Sequence, residues 1–297
     1  MDLSVKIGNV TFKNPVTVAS GTWGLVEGYS SSSLGAVIPK TVTLYARQGN
    51  PPPRIVETPA GMVNAIGIEN PGADAFIAGK LMEIKKIGVP VIASVSGNSD
   101  EEFQALTEKF NLAGVSALEL NLSCPNLKHK TLVAQDPIAV KRVVALVKKL
   151  ARMPVVAKLS PNVTDISVIA KAAEDAGADA VSLVNTFTAM VIDVHKRKSM
   201  IGNFTGGLSG PAIRPIAVAM VYKTAQTVKI PIIAMGGIMT AEDALQFIIA
   251  GATMVAVGTA SFVNPETPVE VLEGIKEYMK KNKIKDIKEL VGSIQGS

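Results

Sequence analysis

The sequence predicts an α/β chain folded as a TIM (β/α)8 barrel, and three observations lead there. Eight short, nearly continuous apolar runs rich in β-branched residues recur along 297 residues. That is the habit of parallel strands buried on both faces. Segments with helical spacing separate the runs. Gly88, Gly114, Gly177 and Gly251 each stand just ahead of a run, where a helix closing on a positive φ hands the chain to the next strand. Eight such units in about 250–300 residues imply a barrel, with a doubly wound sheet as the competing architecture.

In order, VKIGNVTFK (5–13) reads as a hairpin capping the barrel bottom. The eight runs are PVTVAS (15–20), GAVIPK (35–40), PVIASV (90–95), ALELNL (117–122), PVVAKL (154–159), AVSLVN (180–185), PIIAMG (231–236) and MVAVGT (254–259). A long excursion at 54–72 follows the second run, and a second at 190–210, expected as another hairpin, follows the sixth. A helix is expected over 164–177, with Ile166, Ile169, Ala170 and Ala173 on one face and Thr164 as cap. Thr240 and Asp243 form a capping-box pattern for a helix that closes at Gly251. The last stretch, 280–297, reads as a helical tail. With no Pro- or Ser-rich linker, residues 1–297 form one domain with insertions after strands 2 and 6.

Composition narrows the function. With 47% hydrophobic and 19% charged residues a large core can form and global disorder is excluded. One cysteine cannot close an intramolecular disulfide or ligate an iron–sulfur cluster or a Cys-rich zinc site. The start lacks a secretory signal and no apolar run spans a bilayer, so a soluble cytoplasmic protein is expected. The net charge of +5 is compatible with nucleic acid, an anionic cofactor or an acidic substrate. Scattered basic residues and 4% aromatics speak against a nucleic-acid platform, and the HKRK run at 195–198 reads as a solvated face. His129 and His195 read as solvated loop residues without metal-ligand spacing, and Trp23 as packing.

Polar residues gather where the strands end, the face that carries active sites in barrels. They are Ser20-Gly21-Thr22, Lys40-Thr41, Ser94, Asn121 to Cys124, Lys158, Asn185-Thr186, Gly236-Gly237 and Gly258-Thr259. A buried lysine or asparagine left unpaired costs roughly 2–7 kcal/mol, so a ligand is expected to supply partners. GGI before a capped helix, followed by VGT, matches phosphate binding after strands 7 and 8; the alternative is two ordinary glycine turns. Lys40 and Lys158 either snorkel or face an anion or the electron-rich edge of a flavin. Cys124 is either an inert hydrophobe or a base in a polar loop, its direction fixed by Pro125.

Together NPVTVASGTWG, KTVT, NAIGIENPG, ELNLSCPN, VVAKLSPN, NTF, GGLSGPAIRPIA, MGGI and VAVGTA resemble the dihydroorotate dehydrogenases, and among them the NAD-linked class 1B catalytic subunits. The likeness implies FMN-dependent oxidation of dihydroorotate to orotate in pyrimidine biosynthesis. It implies Cys124 as the base at C5 and hydride transfer from C6 to flavin N5. It implies substrate contacts from Lys40, Asn64, Ala65, Ile66, Gly67, Ile68, Asn121, Asn185 and Thr186. It implies FMN contacts from Ser20, Lys40, Thr41, Ser94, Asn121, Lys158, Val184, Gly210, Gly236, Gly237, Gly258 and Thr259, and no metal.

The class also implies a partner subunit carrying FAD and a [2Fe–2S] cluster that passes electrons to NAD, with a dimer of this chain inside a heterotetramer. The chain itself has no G-x-G-x-x-G after a strand. Neither nucleic acid nor membrane is an expected partner. Competing readings are a fumarate-linked class 1A homodimer, a dihydropyrimidine dehydrogenase subunit, a tRNA dihydrouridine synthase and a non-enzymatic phosphate-binding barrel. Three positions depart from the family pattern: Ser94 where asparagine is frequent, Glu69 where glutamine is usual, and the loop after Cys124 (127–136), which lacks the customary glycines.

Overall fold

In the computed structural model, which describes residues 1–23, 31–122 and 133–296, the chain opens on an antiparallel pair. These strands are β1 (Val5–Ile7) and β2 (Val10–Phe12). The turn between them uses Gly8 at φ 57°, where a Cβ would lie 2.9 Å from Pro154 Cγ. Pro154 stands just ahead of a barrel strand, so the pair covers the N-terminal end of the sheet. The first barrel strand is β3 (Val16–Val18). An excursion then forms β4 (Ile55–Thr58) and β5 (Gly61–Asn64), followed by the short helices α1 (Ala73–Ala78) and α2 (Lys80–Lys86).

From here strand and helix alternate: β6 (Ile92–Val95), α3 (Asp100–Ala113), β7 (Ala117–Asn121), α4 (Pro137–Leu150), β8 (Val155–Lys158), α5 (Ile166–Asp175) and β9 (Ala180–Leu183). A second excursion holds β10 (Phe187–Ala189), β11 (Ile192–Asp193), β12 (Lys198–Ser199) and β13 (Gly206–Ser209). The chain finishes with α6 (Arg214–Ala225), β14 (Ile232–Met235), α7 (Ala241–Ala250), β15 (Met254–Val257), α8 (Ala260–Val263) and α9 (Thr267–Lys281).

Seven strands form one parallel sheet in the order β3-β15-β14-β9-β8-β7-β6. The first strand pairs with the last, Val16 opposite Val255, which rules out the doubly wound alternative and gives a TIM-like α/β barrel. The run at 35–40 does not form the regular strand expected of it. It makes isolated parallel bridges, Val37 to Val91 and Val42 to Val95, and Pro39 between them has no N–H to continue a ladder. Gly35 N–H donates to Val16 O at 2.9 Å and Val37 N–H to Pro90 O at 2.9 Å, so this segment joins the two edges of the sheet.

All seven strands are buried along their whole length, and the helices close the outside with apolar stripes such as Ala139, Val140, Val143, Val144 and Val147 of α4. Each fully buried valine contributes on the order of 1.5–3 kcal/mol. Helix ends follow their chemistry. Thr240 and Asp243 make the reciprocal capping box on α7, and Gly114 (φ 63°) and Gly251 (φ 124°) cap α3 and α7. The cap of α5 is Asp165 rather than Thr164: its carboxylate accepts from Ser167 N–H at 3.0 Å.

The two excursions meet. β5 pairs with β4 on one side and with β13 on the other, and β13 pairs with β10, giving a four-stranded antiparallel sheet over the C-terminal ends of the barrel strands. The tail past Lys281 is a single 3-10 turn at Ile287–Glu289, not a helix. It is held by a bridge from Asp286 to Asp2 and by burial of Ile287. Among the described residues no helix is long and apolar enough to cross a membrane.

Candidate active site

At the C-terminal ends of the barrel strands lies a cavity of about 520 Å³, within the usual range for small-ligand sites. Its floor is polar. Lys158, the last residue of β8, is 4% exposed and donates from Nζ to Ser20 Oγ at 3.0 Å. Thr41 Oγ1 lies 3.5 Å from Ser20 Oγ and 2.9 Å from Ser94 Oγ, and Asn121 Nδ2 donates to Thr41 Oγ1 at 3.4 Å. These bonds tie together residues from β6, β7, β8, the end of β3 and the bridged segment.

Lys40 is half-buried beside this floor, and its ammonium passes over Gly21, where a Cβ would come within 3.4 Å of Nζ. Burial pushes its pKa down, and the charge of Lys158 pushes it further in the same direction; Glu69 partly opposes both. Two ammonium groups at one mouth make it a receptor for anions.

The second wall is the segment from Asn64 to Glu69. Asn64 Nδ2 donates to Gly207 O at 3.3 Å across the β5–β13 pair. Gly207 is required there, because a Cβ would sit 1.9 Å from Thr186 Oγ1. Asn50 fastens the segment from behind, its N–H to Ile66 O and its Nδ2 to Ala65 O, both at 3.0 Å. Ile68 adopts φ 54°, a conformation that a β-branched residue reaches only under constraint. Asn70 Nδ2 supplies that constraint by donating to Ile68 O at 2.8 Å. Glu69 carries its charge at the cavity, but Arg54 pairs with it and also donates to Asn50 O and Gln48 O. Much of the negative charge that this departure brings is thereby answered.

On the third side, Val184 N–H donates to Met235 O at 3.0 Å and Asn185 N–H to Leu159 O at 3.1 Å. Asn162 Nδ2 holds Thr186 O at 3.0 Å. The far end is built from glycines. Gly210 (φ 101°), Gly236 (φ 134°) and Gly237 (φ 76°) approach so closely that a Cβ on Gly237 would lie 2.7 Å from Gly210 O. Thr259 Oγ1 donates to Ser209 Oγ at 2.8 Å beside them.

The cavity thus brings together Ser20, Lys40, Thr41, Asn64, Ala65, Ile66, Gly67, Ile68, Asn121, Lys158, Val184, Asn185, Thr186, Gly210, Gly236, Gly237, Gly258 and Thr259. Ser94 does not reach the wall: it is buried behind Thr41 and acts on the site through that hydroxyl. Cys124 and His129 lie outside the described residues. His195 is exposed, as expected. Sequence reasoning passed over Asn50, Arg54, Asn70 and Asn162, whose roles depend on pairings between distant segments. It also passed over Glu119, although a carboxylate inside an otherwise apolar run was a visible signal.

A broader groove of about 700 Å³ on the outer face between α4 and α5 is a poorer candidate. Two of its cations are already paired, Arg142 with Asp100 and Lys171 with Glu174 and Asp175.

The chain matches the family model for dihydroorotate dehydrogenase over residues 2–279. A protein of Lachnoclostridium phytofermentans is 52% identical over 99% of this chain and 100% of its own length. Proteins of Geotalea uraniireducens, at 48% over 99% and 98%, and Desulforudis audaxviator, at 50% over 98% and 96%, are similar throughout. All three carry the name dihydroorotate dehydrogenase B (NAD(+)), catalytic subunit.

Proposed function

The chain belongs to the dihydroorotate dehydrogenase family, and from that premise we propose that it oxidises dihydroorotate to orotate in pyrimidine biosynthesis, with FMN held in the cavity described above. In this reading it is a single FMN-binding domain. The N-terminal hairpin plugs the lower end, and the insertions after the second and sixth strand positions wall the site. The observation that carries the reading is the convergence of two lysines and three positive-φ glycines on one cavity sized for a small ligand.

The residues fit the cofactor. Gly210, Gly236, Gly237, Gly258 and Thr259, all lining the cavity, would hold the phosphate, with Gly210 and Gly237 approaching backbone to backbone. Ser20, Thr41, Asn121, Lys158 and Val184 would flank the ring system, with Ser94 fixing Thr41 from behind. FMN supplies the acceptor for the hydride that leaves C6 of the substrate. Lys40 binds the substrate carboxylate, and Asn64, Asn121, Asn185 and Thr186, with the backbone of 64–68, orient the pyrimidine edges. Cys124 removes the C5 proton as its thiolate.

Electrons leave through a partner. One cysteine cannot ligate an iron–sulfur cluster, so NAD is served by a second subunit carrying FAD and a [2Fe–2S] cluster. Two copies of each chain complete a cytoplasmic heterotetramer. The test is a visible spectrum of the purified chain followed by anaerobic titration with dihydroorotate. Bleaching of a flavin band by about one equivalent supports the proposal. A protein that takes up no flavin, or a flavin that dihydroorotate leaves oxidised, defeats it. Rapid NAD reduction by this chain alone would defeat the partner assignment.

The depressed proton affinity of Lys40 gives a pH prediction. Its pKa is lower in the folded chain than unfolded, so it opposes stability below the folded pKa, and that penalty fades as the pH rises through the window between the two values. An anion bound at Lys40 favours the charged form and pulls the proton back. Orotate binding is therefore expected to take up protons in the alkaline range and to weaken as pH rises through the lowered pKa. Calorimetry in buffers of different ionisation enthalpy reads this directly; identical heats across buffers, with an affinity independent of pH, would count against it.

A further inference from the structure

Glu119 is 0% exposed, inside the barrel on β7, one alternation below Asn121. Its Oε2 accepts from Ser182 Oγ on β9 at 2.8 Å. Its Oε1 accepts no hydrogen bond among the described residues, and the Lys158 ammonium lies 3.9 Å away. A sealed carboxylate is expensive unless a cation or several donors answer it. Here one hydroxyl and one ammonium do so.

Lys158 is in the converse position. It is 4% exposed, it donates a hydrogen bond to the neutral Ser20 Oγ, and its charge is felt by Lys40 across the same mouth. The charged groups acting on this floor come from three segments: Glu119 on β7, Lys40 within the bridged segment, and Glu69 on the loop after β5, which acts on Lys40. Of these, Glu119 forms the ion pair with Lys158.

We propose that Glu119 is a positioning residue of the cofactor site: from beneath the cavity floor its carboxylate holds the Lys158 ammonium against the barrel axis and offsets part of the charge that Lys158 presents to the flavin. The inference rests on the functional reading above. It assigns Glu119 no contact with flavin or substrate. The buried pair sets how strongly the site favours the reduced cofactor, and Lys158 without Glu119 would favour it more.

The experiment compares the midpoint potential of bound FMN in the parent and in Glu119→Gln at one neutral pH. The substitution removes one negative charge beside Lys158 and keeps the side chain's shape. The reduced form is then expected to be favoured tenfold or more over the parent, about 30 mV for a two-electron couple. Ser182→Ala, which removes the Oε2 donor and keeps the charge, is expected to show no such gap. Equal potentials for Glu119→Gln and the parent overturn the inference, as does an equal gap in Ser182→Ala. A Glu119→Gln chain that folds but binds no flavin, while the parent does, also overturns it. A parent that binds no flavin overturns the functional reading instead.

Should Glu119→Gln fail to fold, the double variant Glu119→Gln, Lys158→Met decides by thermal unfolding. Removing both charges relieves the uncompensated one, so the double variant is expected to melt above either single variant. A double variant no more stable than Glu119→Gln alone overturns the pairing.

Discussion

Cys124→Ala is expected to keep its FMN and to lose turnover by about 10²–10⁴-fold, the usual contribution of a positioned general base. Cys124 stands three residues beyond Asn121, which lines the cavity. Of the described residues on either side, Leu122 and Val133 are buried, and Ala134 N–H donates to Leu122 O at 3.0 Å. None of the residues proposed to hold FMN is altered, so the variant should remain yellow. Turnover of the parent should also rise with pH as the thiol, about 8.5 when unperturbed, ionises. The readouts are absorbance per chain and the rate of flavin reduction. Equal loss of cofactor and rate would make Cys124 a structural residue, and an unchanged rate would remove it from the chemistry.

Gly237→Ala is expected to yield a protein that folds less stably and carries almost no FMN. An alanine at φ 76° costs about 1–2 kcal/mol for its left-handed backbone alone. Its Cβ would also lie 2.7 Å from Gly210 O and 2.9 Å from Arg214 Cβ. The first of these is backbone, so relief requires the turn at Gly210 to move, and that turn is the opposite jaw of the proposed phosphate cradle. Arg214 has little freedom to yield, being paired with the buried Asp243 that caps α7. Gly258→Ala is the control: its Cβ would meet only Ala19 Cβ, at an ordinary 3.5 Å, with no positive φ to strain. It should melt with the parent. Flavin content after gel filtration and a thermal melt suffice; a Gly237→Ala protein with the parent's full complement of FMN would remove the cradle from the argument.

Much of this site was legible because barrels place function at strand ends and strands announce themselves by apolar runs. Lys40, Lys158, Asn121, Asn185 and the glycine turns were found that way, and all line one cavity. The misreadings have local causes. The run at 35–40 has strand composition, but Pro39 breaks its ladder. Thr164 and Asp165 are both acceptable caps, and the geometry of the chain selects the second. The meeting of the two excursions through Asn64 and Gly207, 143 residues apart, leaves no periodic trace in either segment. Ser94, a contact implied by the resemblance at a position that departs from the family pattern, bonds Thr41 Oγ1 at 2.9 Å, a pairing that the sequence does not announce.

The pairing of Val16 with Val255 has a consequence for biogenesis. A contact spanning most of the polypeptide cannot form until the ribosome has released nearly all of it, and such long-range closures are slow. Two of the proposed phosphate ligands, Gly258 and Thr259, emerge in that same final portion. Flavin capture is thus a late, post-synthetic event on this reading, and a nascent chain stalled before residue 254 should have no means of retaining it.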